Sequence, residues 1–287
     1  MTHRAFSNPF LNTIADTMTS IKRPAPFVLV STDHGSMIVN RNDYRMVGEN
    51  QAYGVGFQLL NNSNFDPVEV GVALSILKAR REFFGDGVVA IDAGANLGVH
   101  TLEWAKTMHG WGRVTAIEAQ ERVFYALAGN IALNNCLNAS AIHAALGAEH
   151  GTLDIPVPDY LKPGSFGSLE LKKRERTEFI GQTIDYSPEN CFNVRLVPLD
   201  ALETGRVDFI KIDVEGMELE VLDGARQIIE RCRPAMMIEA IKTDQTALFE
   251  LLTNYGYRVY KHHLNFIAIH STDRSDSFLK VSNNTPS

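Results

Sequence analysis

The chain has 287 residues, of which 45% are hydrophobic and 21% are charged, and its formal net charge is -7. This composition is typical of a folded globular protein and excludes a largely disordered chain. The negative net charge argues against a nucleic-acid substrate, because the chain offers no overall positive field to attract a polyanion.

Three scattered cysteines form neither a metal-ligand pattern nor a disulfide framework, which favours a reducing compartment. No segment approaches the roughly 20 apolar residues of a membrane span, and the N-terminus lacks a long apolar signal segment. We therefore expect a cytoplasmic protein with neither a membrane nor a nucleic acid as partner. A homodimer is a possible assembly.

The first 87 residues precede the regular part of the sequence and are predicted to form an extension, or cap, that packs on the core. A strand is expected at residues 27–31, and the pattern of apolar residues predicts a helix over Pro67–Phe84. An Asn-rich turn at residues 61–64 separates the two.

From residue 88 onward, apolar strand-like runs alternate with segments of helical period, as expected of strand-helix units that feed a mainly parallel sheet. Residues 88–270 are therefore predicted to form one doubly wound α/β domain, followed by a flexible tail at 271–287. The last two strands are separated by only a few residues, which predicts an antiparallel end to the sheet. The seven predicted strands are residues 88–92, 113–118, 140–145, 207–213, 235–240, 257–261 and 266–270.

Helical patterns between these strands include one at residues 221–232, ended by the pair Arg233-Pro234, and one near residues 248–252, ended near Gly256. Residues 151–195 interrupt the alternation with four prolines and short β-like pieces. Such a β-rich insertion is either a substrate-recognition loop or a cover for a sheet edge, and its composition does not separate the two.

The segment from Asp92 to Gly98 runs from a buried strand through a glycine turn into a helix. Gly94 and Gly98 let the backbone turn tightly against a ligand, and the following helix N-terminus offers unpaired N–H groups. Asn96 occupies the place where the dinucleotide-binding fingerprint has a glycine, which weakens the interpretation as an NAD site.

Two carboxylates flank this turn. Asp92 would repel a pyrophosphate but suits a cationic amino acid group. Glu118 is expected at a solvent-facing end of the second strand, where it can accept both hydroxyls of a ribose. The sequence therefore predicts a site for an adenosine with a positively charged tail. A nucleotide-dependent oxidoreductase is the rival, because it shares the turn and the acidic residue.

Four segments carry a resemblance to a known family: I-D-A-G-A-N-L-G-V-H-T from Ile91, A-I-E from Ala116, N-I-A-L-N from Asn130 and F-I-K-I-D-V-E-G-M-E from Phe209. They resemble the FkbM methyltransferases over roughly residues 61–270. The resemblance implies a Rossmann-like class I methyltransferase fold, S-adenosylmethionine as cofactor, and O-methylation of a sugar, glycan or secondary metabolite. The predicted cofactor-binding residues are Asp92, Gly94, Asn96, Gly98, Thr101 and Glu118.

The carboxyl ends of the fourth and fifth strands are expected to place Asp213 and Glu239 beside the transferred methyl group. A carboxylate there can remove the proton of an attacking hydroxyl, or the two together can hold Mg²⁺, which prefers oxygen ligands. His100, just inside the first helix, is the second choice as proton acceptor; a packed or capping histidine is the alternative.

The acceptor is predicted to be a small molecule or a glycan, and no sequence motif identifies it further. N-methylation stays open, because the cofactor motifs do not specify the methylated atom. A non-catalytic binding module is the other alternative, because a fold does not establish a reaction by itself.

Overall fold

A seven-stranded mixed sheet organises the computed structural model, which describes residues 23–49 and 51–277. The outer parts of the predicted extension and tail, residues 1–22 and 278–287, lie outside the described residues. Within the described part of the chain, no helix is both long enough and apolar enough to cross a membrane.

The N-terminal part consists of two short antiparallel strand pairs and two helices. They are β1 (Phe27–Thr32), β2 (Gly35–Asn40), β3 (Arg45–Met46), β4 (Ala52–Tyr53), α1 (Val55–Asn62) and α2 (Pro67–Phe84). The predicted first strand is confirmed, and it pairs with β2, a strand that was not predicted. The predicted helix α2 is confirmed at both ends: Pro67 takes the first helical position, and Gly85 follows the last with a φ of 78°.

The core alternates strands and helices. Its first half contains β5 (Val88–Ala93), α3 (Val99–Thr107), β6 (Gly112–Glu118), α4 (Glu121–Leu133), β7 (Ala139–His143), β8 (Ala145–Leu146), β9 (Gly151–Pro156) and β10 (Cys191–Val197). Its second half contains β11 (Phe209–Ile212), α5 (Glu218–Asp223), α6 (Arg226–Cys232), β12 (Ala235–Glu239), α7 (Gln245–Asn254), β13 (Tyr257–His262) and β14 (Asn265–His270).

The central sheet has the strand order β13-β14-β12-β11-β5-β6-β7. The five strands from β12 to β7 are parallel, whereas β14 is antiparallel to both of its neighbours. This confirms the predicted doubly wound sheet of seven strands with an antiparallel last strand. Because parallel strands end at one edge, the sheet brings together the residues that close β5, β6, β11 and β12.

Both faces of the sheet are covered, which explains its continuous apolar strands. Along β5, Ala90 packs into the cluster with the N-terminal hairpin, α2 and α3, while its neighbour Ile91 packs into the cluster with α5, α6 and α7. This alternation follows from the two-residue period of a strand. On the first face, the buried Trp104 and Phe209 meet edge to face with ring centroids 5.2 Å apart.

Two predicted elements are divided in the structure. The strand expected at 140–145 becomes β7 in the central sheet and β8, which pairs with β10. The helix expected at 221–232 becomes α5 and α6. A Cβ atom on Gly224 would lie 2.1 Å from the Gly147 carbonyl oxygen, so a neighbouring backbone passes at the break. Asp200 then caps the new start by accepting the N–H groups of Gln227 and Ile228.

The segment 151–195 forms a β-hairpin with a long loop. β9 and β10 pair antiparallel, and residues 157–190 between them fold back over the carboxyl edge of the central sheet. Phe166 donates its N–H to the buried Asp43 over 2.9 Å and accepts the Gln120 amide with its carbonyl oxygen, also over 2.9 Å. The loop is thereby fixed to the N-terminal part and to the start of α4.

Candidate functional site

The turn between β5 and α3 forms the floor of the site. Gly94, Asn96 and Gly98 all have positive φ angles, of 82°, 50° and 89°. A Cβ atom on Gly94 would lie 1.8 Å from the Asp213 carbonyl oxygen, so only glycine lets the turn approach the end of β11 this closely. Asparagine is among the few other residues that adopt the left-handed region readily, which explains Asn96.

Asp92 lies beneath this turn and is 1% exposed. Its Oδ2 atom accepts a hydrogen bond from Thr101 Oγ1 over 2.6 Å. Its Oδ1 atom is also buried, and it has no hydrogen-bond partner among the described residues. Because a buried carboxylate oxygen without a donor is costly, Asp92 suits a ligand that brings a cationic N–H group. Thr101 is fully buried and orients Asp92 from behind.

Glu118 closes β6, but its surroundings differ from the prediction. The residue is 7% exposed instead of facing solvent, because the loop 157–190 covers this edge. Its two carboxylate oxygens accept the backbone N–H groups of Asn96 and Gln120, over 2.9 and 2.8 Å. Burial raises the pKa of Glu118 to about 7, although these hydrogen bonds work against the rise. Each oxygen keeps a second lone pair for a ligand hydroxyl.

A first cavity lies between Glu118 and the covering loop. Its floor is the turn at Gly94 and Asn96, and its roof includes Gly167 and Leu169. The remaining lining is mostly apolar: Ile117, Ala119, Ala144, Ala145, Leu146, Leu171, Val214 and Met217. An apolar slot with Glu118 at one end and the carboxylates of Asp213 and Glu215 at the other has the character of a nucleoside site.

A second cavity continues from the first. The two share a wall made of Gly94, Asn96, Gly167, Asp213 and Glu215. The second is more polar, and its lining includes Tyr53, Phe65, Asp92, His100, Ser165, Ser168, Lys211 and Glu239. The predicted site residues Asp92, Asp213, Glu239 and His100 therefore line one space, together with residues of the N-terminal part.

Three carboxylates meet at the carboxyl edge of β11 and β12. One carboxylate oxygen each from Asp213, Glu215 and Glu239 lies within 4.8 Å of the others. Lys211, which is 4% exposed, donates to Asp213 Oδ2 over 2.7 Å, and Lys242 pairs with Glu215. Lys211 and Lys242 thus each supply a counter-charge to the carboxylate group.

Burial and mutual repulsion set the protonation of this group. Burial raises the pKa of Glu239, and the charges of Asp213 and Glu215 raise it further. Burial also raises the pKa of Glu215. The protonated form of Glu239 is therefore favoured, and a protonated carboxyl cannot act as a general base. Asp213 is the carboxyl group of the three that pairs with Lys211.

The same pairings bear on the predicted Mg²⁺. Carboxylate oxygens are suitable ligands for this ion, but two of the three carboxylates already have a lysine ammonium as partner. The two ammonium groups neutralise part of the negative charge, which weakens the attraction of this group for a divalent ion. Binding of Mg²⁺ by Asp213 and Glu239 stays a prediction.

Glu218, the first residue of α5, holds the loop between β11 and α5. Its Oε1 atom accepts the N–H groups of Val214 and Gly216, over 3.3 and 2.9 Å. Glu215 itself has a φ of 56°, so the loop after β11 is held in a left-handed conformation next to the cavities.

Several site residues were not found from the sequence. Tyr53 comes from a two-residue strand, and Glu69 and Lys242 lie outside the recognised segments. Lys242 Nζ also donates to the Ser168 carbonyl oxygen over 2.7 Å and pairs with Glu178 over 2.7 Å. It therefore ties the covering loop to the carboxylate group. No short-range pattern marks these residues, because long-range contacts bring them to the site.

We expect Glu118→Ala to weaken binding of S-adenosylmethionine tenfold or more, because a charge-assisted hydrogen bond to a hydroxyl contributes about 1.5–3 kcal/mol. Loss of the two backbone hydrogen bonds should also lower the melting temperature. Titration calorimetry and thermal unfolding measure the two effects. Glu121→Ala, a nearby acidic position outside both cavities, is the control. Unchanged affinity in a folded Glu118→Ala variant would remove Glu118 from the binding site.

Comparison with protein families gives a match over most of the core. A family model described as the methyltransferase FkbM domain matches residues 92–259. A curated relative, methyltransferase sdnD from Sordaria araneosa, is 29% identical over 161 residues, which are 47% of this chain and 59% of the relative. The chain thus spans less than two thirds of that relative's length.

Two solved structures are similar to this chain at low identity. Methyltransferase FkbM from Methylobacillus flagellatus is 20% identical with a TM-score of 0.45, and the match covers 68% of this chain and 47% of that one. A SAM-dependent methyltransferase from Aquifex aeolicus is 13% identical with a TM-score of 0.35, and the match covers 71% of this chain and 97% of the other.

Proposed function

Because the chain belongs to the FkbM methyltransferase family, we propose that it transfers a methyl group from S-adenosylmethionine to a hydroxyl group of a sugar, a glycan or a secondary metabolite. The observation that carries this proposal is the buried Oδ1 atom of Asp92, which has no hydrogen-bond partner in the described part of the chain and lies in a cavity that Asp213 also lines. The ammonium group of S-adenosylmethionine would pair with the Asp92 oxygen, and its methyl group would then lie near Asp213.

Residues of the two cavities divide the binding between them. Glu118 would accept the ribose hydroxyls in the first cavity, and the apolar walls there would enclose the base. Asp92, oriented by Thr101, would accept the ammonium group of the methionine portion. When bound, S-adenosylmethionine supplies a methyl group made electrophilic by a sulfonium. The shared wall at Asp213 is where the second cavity would present the acceptor.

The second cavity favours a polyhydroxylated or amphipathic acceptor. Carboxyl groups and the side chains of Ser165 and Ser168 can hydrogen-bond several hydroxyls, while Tyr53 and Phe65 offer flat apolar surface. The acidic groups outnumber the single lysine in the lining, so an anionic acceptor such as a phosphate would be repelled. A protonated amine is the second candidate, because the same carboxylates would attract it.

Cofactor choice is the first test. S-adenosylmethionine at a hundred times its dissociation constant should stabilise the protein by about 2.7 kcal/mol and raise the melting temperature by several degrees. NAD at the same concentration should have no effect. Stabilisation by NAD alone would contradict the proposal and favour the oxidoreductase.

Acceptor choice is the second test. The protein should form S-adenosylhomocysteine with at least one member of a panel of neutral hydroxylated compounds, and mass spectrometry should find the product heavier by one CH₂. Amines and phosphorylated sugars complete the panel. Turnover with amines alone would replace O-methylation by N-methylation, and no turnover with a bound cofactor would favour a non-catalytic module.

A further inference from the structure

Helix α3 carries two glutamate–histidine pairs that look alike but differ in one respect. Near its middle, Glu103 pairs with His34, with Oε1 3.3 Å from Nδ1. At its start, His100 pairs with Glu69 of α2, with Nε2 3.2 Å from Oε1. All four side chains are largely buried. The pairs differ chiefly in the hydrogen bonding of the histidine ring nitrogen that does not face the glutamate.

In the first pair both ring nitrogens of His34 are satisfied. The backbone N–H of Phe65 donates to Nε2 over 3.1 Å, which leaves Nδ1 to carry the proton toward Glu103. In the second pair the Nδ1 atom of His100 is buried and has no hydrogen-bond partner among the described residues. Buried ring nitrogens are normally paired, so this exception points to a missing partner.

The charge of Glu69 fixes which nitrogen of His100 carries the proton. Burial alone would raise the pKa of Glu69, but hydrogen bonds from His100 and Asn265 and the charge of Lys211 lower it to about 2. Glu69 is therefore a carboxylate near neutral pH and can only accept. The Nε2 atom of His100 must donate to it, and Nδ1 of the neutral ring is left with a lone pair.

His100 belongs to the wall of the second cavity, where the acceptor would bind. Its own helix supplies no further charged group to this wall, but the neighbouring elements do. The charged and titratable groups around it are Tyr53 of β4, Glu69 and Asp66 at the start of α2, Asp92 of β5, Lys211 and Asp213 at the end of β11, and Glu215 and Glu239.

We propose that Glu69 is a positioning residue that holds His100 as the proton acceptor for the acceptor hydroxyl. This inference rests on the proposed function. As the hydroxyl oxygen forms its bond to the methyl carbon, the carbon–sulfur bond breaks and its electron pair stays on sulfur. The hydroxyl proton moves to Nδ1 of His100, and Glu69 balances the charge of the resulting imidazolium. Histidine held by a carboxylate is a common arrangement for a general base.

The first test needs no acceptor. Nitrogen-15 NMR of the histidine rings should show His100 protonated at Nε2 and unprotonated at Nδ1. In Glu69→Gln the titration midpoint of His100 should fall by about one pH unit or more, because an adjacent carboxylate stabilises the imidazolium. A wild-type ring protonated at Nδ1, or an unchanged midpoint, would overturn the assignment.

The second test uses the hydroxylated compound that gives product in the panel described above. Glu69→Gln should lower kcat about tenfold or more and shift its acidic limb to lower pH together with the NMR midpoint. Glu69→Asp should keep the limb near its wild-type position, because it retains the charge. Glu103→Gln, which alters the matched pair outside the cavity, should change neither kcat nor the limb.

Calorimetry separates failure of this inference from failure of the proposed function. Glu69→Gln should bind S-adenosylmethionine within about twofold of wild type. The hydrogen bonds of Glu69 to described residues go to His100 and Asn265, and neither residue is assigned to the cofactor. Wild-type protein that binds no S-adenosylmethionine would contradict the proposed function. Wild-type protein that binds it and turns over with no acidic limb, or a limb that Glu69→Gln leaves in place, would overturn the role of His100 alone.

Discussion

Gly94→Val should abolish detectable binding of S-adenosylmethionine. A branched side chain at a φ of 82° strains the backbone by roughly 1–2 kcal/mol, and its Cβ would lie 1.8 Å from the Asp213 carbonyl oxygen. The loop after β11 would have to move, and this loop forms the wall between the two cavities. Titration calorimetry should therefore show at least a hundredfold loss of affinity.

Gly110→Val is a matched control for this substitution. Gly110 has nearly the same φ, 81°, but a Cβ there would meet nothing within 4 Å. It should lower stability by the torsional strain alone and leave cofactor binding intact. Circular dichroism must show that both variants are folded. Normal binding in a folded Gly94→Val variant would mean that the glycine turn is not the floor of the site.

Asp213→Asn should lower turnover by about a hundredfold or more while S-adenosylmethionine binds nearly as well as in wild type. That magnitude is usual for loss of a general base or of a group that positions the reacting hydroxyl. Asp213 belongs to the shared wall of the cavities, and asparagine keeps its size while removing its charge. If Asp213 positions the hydroxyl and His100 takes the proton, the loss should be similar at every pH.

A second effect of Asp213→Asn has to be separated from catalysis. The substitution leaves the buried Lys211 ammonium without its nearest counter-charge, and breaking such a pair destabilises a fold. Lys211→Met combined with Asp213→Asn should restore the melting temperature but not the turnover. If turnover returns with stability, or if Asp213→Asn alone turns over normally, Asp213 serves only as the partner of Lys211.

A chelator added to the wild-type protein tests the predicted metal in the same assay. Inactivation that Mg²⁺ reverses would assign Asp213 to metal binding, despite the lysines that pair with the carboxylate group. Indifference to the chelator is the result we expect from these pairings.

Local sequence patterns predicted the elements that local forces determine. Helix α2 was placed to the residue, because Pro67 and Gly85 mark its ends directly. The helix over 221–232 was predicted without its break, because the cause is a distant backbone, that of Gly147, which passes over Gly224. A periodicity in the sequence does not show which other segment packs against it.

The site residues also fall into those that local sequence predicts and those that depend on distant contacts. Asp92, Gly94 and Asn96 follow one another in one recognisable segment, so their meeting at the edge of the sheet could be predicted. The burial of Glu118 could not be, since it depends on a loop that lies between residues 157 and 190 in the chain. Glu69 likewise reaches His100 only because α2 packs beside α3.

The backbone torsion of Asn96 limits how well the residue at this position can distinguish an NAD site from an S-adenosylmethionine site. Asparagine and glycine both accept a φ near 50°, so the middle position of the turn reports a shape of the main chain that NAD-binding and methyl-transferring proteins can share. We therefore expect the substitution Asn96→Gly to leave the ligand preference unchanged. We expect discrimination between the two ligands to depend on the buried Asp92 carboxylate, which would repel a pyrophosphate and pair with an ammonium group.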